Sequence, residues 1–384
     1  MLNLNNIKKT ISPIRIVYVV ENIFTKRDYD RFYINELIEN GFEVLIVDVT
    51  ELIYGEVGDS LNIKSIDTNY AKCKSIKEFC EILKQFKPNF SVNLVHRAKN
   101  KYLYRFFIAL YLNRKSKLIE HYCENLPLNL SFLSIKRVLK KILFSPWLLI
   151  RPSYSIVTNQ NSIKFASGKL IKLHENDYDL YLKSSRKSKK NTSIPYLLFL
   201  DEGGAFHPDF IYQKVKCPLT PEIYYPEINR SLFNLAENLK LQPLVQLHPR
   251  VNGDNIKKYF QVGISNESTI DAIRDASLIV AHSSTAIQMA VLFQKPIILL
   301  KTTQLLEYKS SKLLIKNFTK LLMCPCIWSN DANQILSIPN VHINSYLLYK
   351  NEYIKIQNTP NEFNSQVLID FLTNEYNLIS KKSK

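Results

Sequence analysis

Apolar residues fall along this chain in short continuous blocks, separated by stretches whose apolar positions repeat at helical spacing. Residues 14–20 (IRIVYVV) are an unbroken, mostly β-branched run, the pattern of a strand buried on both faces. Residues 28–40 carry Phe32, Leu37 and Ile38 and end at Gly41, which predicts a helix with a glycine at its C-cap. Residues 42–49 (FEVLIVDV) predict the next strand. A strand, a helix and a strand with short connections make a βαβ unit, and hence a parallel sheet. Further strands are expected at 90–95, 118–122, 154–158 and 170–173, with helices between them. No G-x-G-x-x-G follows the first strand, so a dinucleotide-binding fingerprint is lacking.

A polar, basic stretch at 183–193 (KSSRKSKKNTS) interrupts the alternation and reads as an interdomain linker. After it the alternation restarts. Strands are predicted at 196–200 (YLLFL), 244–247, 278–281 and 296–300, and helices at 221–239, 269–276 and 286–293. The expected organisation is therefore a Rossmann-like domain over 1–182, a linker over 183–193 and a second α/β domain over 194–384. Two such domains facing a cleft, with ligands at the carboxyl ends of the strands, follow the GT-B plan.

A chain of 384 residues suits two domains, and 46% hydrophobic content suffices to bury both cores. The formal net charge of +17 changes the picture more. It points to polyanionic company: nucleic acid, an anionic membrane surface or phosphorylated substrates. The six cysteines show no paired metal spacing, and Cys324-Pro325-Cys326 stands alone. The apolar run after Lys8 and Lys9 is too short for a signal peptide, and no run of about 20 apolar residues would span a bilayer. A cytoplasmic protein is expected. Residues 134–151 (SIKRVLKKILFSPWLLIR) set Lys136, Arg137, Lys140 and Lys141 beside an apolar face, with Trp147 as an aromatic anchor. That is the pattern of an interfacial helix lying on an anionic membrane.

Four elements at or just after predicted strand ends in the second half could carry chemistry. Asp201-Glu202-Gly203-Gly204 follows YLLFL and offers two carboxylates and a sharp turn, suited to a general base. Side chains alternate on an extended segment, so one of the two carboxylates faces a cleft. His207 lies in the same loop, a candidate active-site position with Gly203. His248-Pro249-Arg250 leaves the strand at 244–247, where proline ends the ladder and an imidazole and a guanidinium can hold a phosphate. His282-Ser283-Ser284-Thr285 separates a strand from an apolar helix, and hydroxyls with free amides there suit a phosphate cradle.

The carboxylate–carboxylate–Gly, His-Pro and Ser-Ser/Thr elements, in that order, resemble the signatures of bacterial sialyltransferases and polysialyltransferases. The segments RDYDRFYINELIENGFEVLIVDVTELI, YLLFLDEGGAFHPDF and LIVAHSSTAIQMAVLFQKPIILL look like capsular and surface-polysaccharide transferases of the nonulosonic-acid group. The resemblance implies an inverting GT-B enzyme that moves a sialic, pseudaminic or Kdo-like sugar from CMP to a glycan or lipid-linked glycan. It implies that Asp201 or Glu202, with Asp201 favoured, deprotonates the acceptor. His248, Ser283 and Ser284 would hold the CMP phosphate, with Pro249, Arg250, Thr285 and His282 beside them. No metal or cofactor is expected, since a CMP-sugar already carries a good leaving group. The expected location is peripheral, on the inner face of the cytoplasmic membrane. A CDP-glycerol or CDP-ribitol phosphotransferase of the teichoic-acid type is the nearest alternative. An NDP-sugar epimerase shares the fold plan. A nucleic-acid-binding protein would need cations gathered on one face with interleaved aromatics, whereas these are spread over both halves.

Overall fold

The computed structural model describes residues 13–22, 24, 26–55, 69–95, 102–122, 126–127, 150–164, 166–187, 194–207, 216–249, 251 and 253–382. Two parallel sheets organise them. The first holds seven strands in the order β3-β2-β1-β4-β5-β6-β7: β1 Ile14–Val20, β2 Phe42–Asp48, β3 Tyr70–Lys72, β4 Phe90–Asn93, β5 Lys117–Tyr122, β6 Tyr154–Val157 and β7 Lys169–Lys172. The second holds six in the order β10-β9-β8-β11-β12-β13: β8 Tyr196–Leu200, β9 Gln242–Gln246, β10 Gly263–Ile264, β11 Leu278–Ala281, β12 Ile297–Lys301 and β13 Cys326–Trp328. In each sheet the order grows outward from the first strand and then reverses, between β1 and β4 and between β8 and β11. Connections leaving the two strands at a reversal diverge, so a crevice opens at their carboxyl ends.

The predicted central strands are all present, and most are apolar runs sealed between helical layers; Tyr196 to Leu200 are all buried, whereas β9 buries only Val245 fully. The three short edge strands β3, β10 and β13 carry too few residues to show a pattern. The helix expected at 28–40 is two, Lys26–Arg31 and Ile34–Glu39, broken at Tyr33 with φ 59°. A left-handed tyrosine costs about 1–2 kcal/mol. A buried hydrogen bond from Asn364 Nδ2 to the Tyr33 hydroxyl, 2.8 Å, is part of what holds it there.

The chain divides its elements between the two sheets differently from the expected boundaries. Helix Asn176–Ser185 precedes 194 yet packs on the second sheet's helices, with Tyr178 in that core and Tyr181 edge-on to Phe293 at 5.0 Å. The last helix, Asn364–Lys382, returns to the first sheet. Its Leu368, Ile369 and Leu372 join the core of Tyr18, Val44 and Ile156, and Phe371 meets the Tyr154 ring edge-on at 5.3 Å. Lys381 and Lys382 form its last turn. Residues 188–193 and the interfacial segment's Lys136, Arg137, Lys140, Lys141 and Trp147 lie outside the described residues. No described helix is long and apolar enough to cross a membrane.

Asn364 fastens this return. Its Nδ2 donates to the carbonyl of His174 at 2.7 Å as well as to Tyr33, and its Oδ1 accepts the His174 amide at 3.0 Å. Replacing it with alanine leaves three buried polar groups short of a partner. Asn364→Ala is expected to lower stability by about 2 kcal/mol in urea unfolding; a loss within measurement error would show that the apolar face alone secures the helix.

Candidate active site at the second sheet's reversal

β8 ends at Leu200 and the chain turns at once. The Asp201 amide donates to Gln246 O at 3.0 Å, one last rung toward β9. Gly203 and Gly204 follow with φ +82° and +43°. A Cβ on Gly203 would meet Val251 Cγ2 at 2.6 Å, and one on Gly204 the Tyr225 hydroxyl at 2.5 Å. Both positions need glycine on two counts, conformation and space.

The turn sends the two carboxylates opposite ways. Asp201 points inward and is 3% exposed. Its Oδ2 accepts the Gly203 amide at 2.9 Å, while Oδ1 is buried without a hydrogen-bond partner. Burial pushes this carboxyl up to about 7, against the Gly203 amide, which favours the charged form. Helix Pro221–Leu239 covers it, and burial followed by the charge of Asp201 raises the phenols of Tyr224 and Tyr225. Glu202 points across the reversal to β11. Its Oε1 accepts the Ser283 amide and its Oε2 the Ser283 hydroxyl, the latter at 3.1 Å. A carboxylate thus sits on the donors that the sequence assigned to a phosphate.

His282 is otherwise employed. Its Nδ1 lies 2.8 Å from the Leu300 carbonyl, which requires a proton there, so Nε2 accepts from the Tyr224 hydroxyl at 2.8 Å. Both ring nitrogens are spent, the ring stands edge-on to Phe199 at 5.4 Å, and burial lowers its pKa. It ties β11 to β12 and to helix Pro221–Leu239, and has no nitrogen left for a phosphate. The hydroxyls also sit differently from expectation. The helix after β11 is Ile287–Leu292, with Ala286 at its N-cap and no side-chain cap. Ser284 Oγ accepts the Ala286 amide at 3.2 Å, closing the turn before the helix, and Thr285 is exposed.

His248 leaves β9 half-buried, in a turn closed by the Val251 amide on the His248 carbonyl at 3.1 Å. Its ring lies 4.8 Å from that of His207. The structure therefore gathers Glu202, Ser283, His248 and His207 around the ends of β8, β9 and β11. Pro249 is exposed, and Arg250 lies outside the described residues.

The first sheet contributes groups that no motif marked. At its strand ends Glu21 and Arg105 form a buried ion pair, and Asn93 Nδ2 donates to Glu120 Oε1 at 3.0 Å. Arg31, His121, Thr158 and Glu175 line a cavity of about 20 Å³, room for one water. Burial, followed by the Arg31 charge, lowers His121 to about 4, so it is neutral at neutral pH. The signal available in the sequence was position alone: Glu21, Asn93, Glu120, His121, Thr158 and Glu175 lie in or just after predicted strands, whereas Arg31 and Arg105 sit on helices and carried no such signal. Among the described residues no group of three or more His, Cys, Asp or Glu is arranged to hold a metal ion.

No protein-family model matches this sequence, and no curated protein does. Solved structures match in fold. A variant of the wall teichoic acid polymerase TagF superposes with a TM-score of 0.53 at 11% identity, covering 96% of this chain and 90% of that one. The spinosyn forosaminyltransferase SpnP does so with a TM-score of 0.51 at 11% identity, covering 93% and 98%. The protein has the GT-B fold, two parallel α/β sheets each with its reversal point. At such identities the likeness is one of fold.

Proposed function

We propose that the protein is an inverting glycosyltransferase that moves a nonulosonic acid from a CMP-sugar to a hydroxyl of a surface glycan or lipid-linked glycan. The observation that carries this is Glu202 seated on Ser283 at the β8–β11 reversal: a base and an anion site within hydrogen-bond reach of each other. In this reading the donor phosphate takes over the Ser283 amide and hydroxyl and is steadied by His248. Glu202, displaced by like charge, turns to the acceptor. The acceptor oxygen then bonds to the anomeric carbon as its proton passes to Glu202. The bond from that carbon to the phosphate oxygen breaks, and CMP leaves with the electron pair. Glu202 is preferred to Asp201 because Asp201 is withdrawn beneath the turn. The reading calls for no metal, since the Ser283 and His248 donors take up the charge of the leaving monophosphate. It places the enzyme on the inner face of the cytoplasmic membrane, where a lipid-linked acceptor would be met.

Transfer of a glycerol- or ribitol-phosphate from a CDP-polyol is the second reading, supported by the fold shared with a teichoic acid polymerase. Both donors are cytidine nucleotides. CMP and CDP are therefore expected to raise the melting temperature, and UDP and GDP to leave it unmoved. A nucleotide at a hundredfold excess over its Kd adds about 2.7 kcal/mol. Incubation with CMP-sialic, CMP-pseudaminic and CDP-glycerol donors then separates the two readings. Turnover of the CDP-polyol alone overturns the first, and a response to UDP alone overturns both.

A further inference from the structure

Helix Lys309–Leu322 crosses from β12 to β13 on the outside of the second sheet. Its inner face, Leu314, Ile315, Phe318 and Leu322, belongs to the core. Its outer face carries Lys309, Lys312, Lys316 and Lys320, spaced three, four and four apart, which aligns them in one stripe. All four are exposed, and none is ion-paired among the described residues. No Asp or Glu occurs between Glu307 and Asp331. A helix that merely needed solubility would be expected to mix the two signs.

Apolar side chains accompany the stripe. Leu313 is exposed between Lys312 and Lys316, and Met323, just past the last turn, is 56% exposed. Met323 shares a shallow depression with Val341, His342 and Ile343, the start of helix Ile343–Tyr353, which packs against the lysine helix. That helix in turn exposes Leu347 and Leu348. On the buried side of the helix Asn317 Nδ2 donates to the Pro127 carbonyl, so first-half chain reaches this helix too.

We infer that the face formed by helices Lys309–Leu322 and Ile343–Tyr353 docks on an anionic lipid bilayer, the lysines meeting headgroup phosphates and the Leu and Met side chains entering the interface. Charge complementarity selects a phosphate-bearing partner, and the apolar residues select the bilayer over RNA. One histidine ring, His342, is too little for a series of stacked bases, whereas Leu and Met side chains gain by leaving water at a membrane interface. The surface is built from second-half residues, distinct in sequence from 134–151.

The test is flotation of the full chain with vesicles of phosphatidylcholine alone and of phosphatidylcholine with phosphatidylglycerol, without donor or acceptor. The expected result is partition into the anionic vesicles that salt weakens. Changing Lys309, Lys312, Lys316 and Lys320 together to Gln should lower it several hundredfold, at roughly fivefold per charge. The melting temperature of this variant should match that of the parent. If the quadruple variant misfolds, the four single Lys→Gln variants decide by the same fivefold steps. Leu313→Ser with Met323→Ser should also weaken partition with every lysine in place. Unchanged partition of the lysine variants overturns the inference. So does loss of binding to a labelled single-stranded RNA while vesicle binding survives. Because neither donor nor acceptor is present, failure here leaves the transferase reading standing, and failure of that reading leaves this one standing.

Discussion

Above neutral pH, Asp201→Asn is expected to be more stable than the parent by on the order of 4 kcal/mol, with the difference vanishing in acid. The sign follows from the direction of the shift. Burial raises this carboxyl from 3.8 to about 7, so the folded state keeps a proton that the unfolded state has already released. The parent therefore holds its full stability below about pH 4. It loses the Asp201 contribution as pH rises through about 7, and then carries a buried charge with one oxygen unpartnered. The 3% exposure leaves little solvent to screen that charge. Asparagine keeps the acceptor for the Gly203 amide and removes the ionisation. Urea unfolding of both proteins between pH 4 and pH 8.5, near the ends of roughly that interval, gives the comparison. Parallel curves would mean that Asp201 titrates as an ordinary carboxylate.

Glu202→Gln is expected to reduce turnover by roughly 10²–10⁴-fold, the usual weight of a general base. Its affinity for CMP should rise severalfold, because a neutral amide competes less well than a carboxylate for the Ser283 amide and hydroxyl. Ser283→Ala removes the hydroxyl half of that site and should weaken CMP binding while leaving the carboxylate free. Opposite signs from two residues in contact are the signature of a base that occupies the donor's place until the donor arrives. Asp201→Asn should keep turnover within a few-fold at neutral pH. If Asp201→Asn kills transfer and Glu202→Gln spares it, the base is Asp201, and the turn must open during catalysis.

The runs IRIVYVV and YLLFL announced their strands because a strand sealed on both faces has no polar positions to disguise it. The order of the strands was not readable, since hydrogen bonds between β8 and β11 join residues some eighty positions apart. The reversal point, and with it the crevice, follows from that order. Asp201, Glu202, His248 and Ser283 were recognisable as strand-end polar residues; the structure joins Glu202 to Ser283 and sets His248 beside His207. What each side chain faces was hidden. The ring of His282 is aimed at the carbonyl of Leu300 on the next strand, and nothing in His-Ser-Ser-Thr encodes that direction. The Glu202–Ser283 contact was equally silent, because motifs record residues along the chain and this contact joins two motifs across a sheet.

The return of helix Asn364–Lys382 to the first sheet has a consequence for biosynthesis. Translation delivers β1 through β7 early, yet the groove beside Tyr18, Val44 and Ile156 stays uncovered until the residues of helix Asn364–Lys382 have been made. A nascent first half therefore waits on the ribosome with apolar surface in water while the whole second sheet is made. At about 5–20 residues per second that wait lasts on the order of ten to forty seconds. A stop codon just before Asn364 would remove none of these strands, and would still release a chain whose first half cannot close.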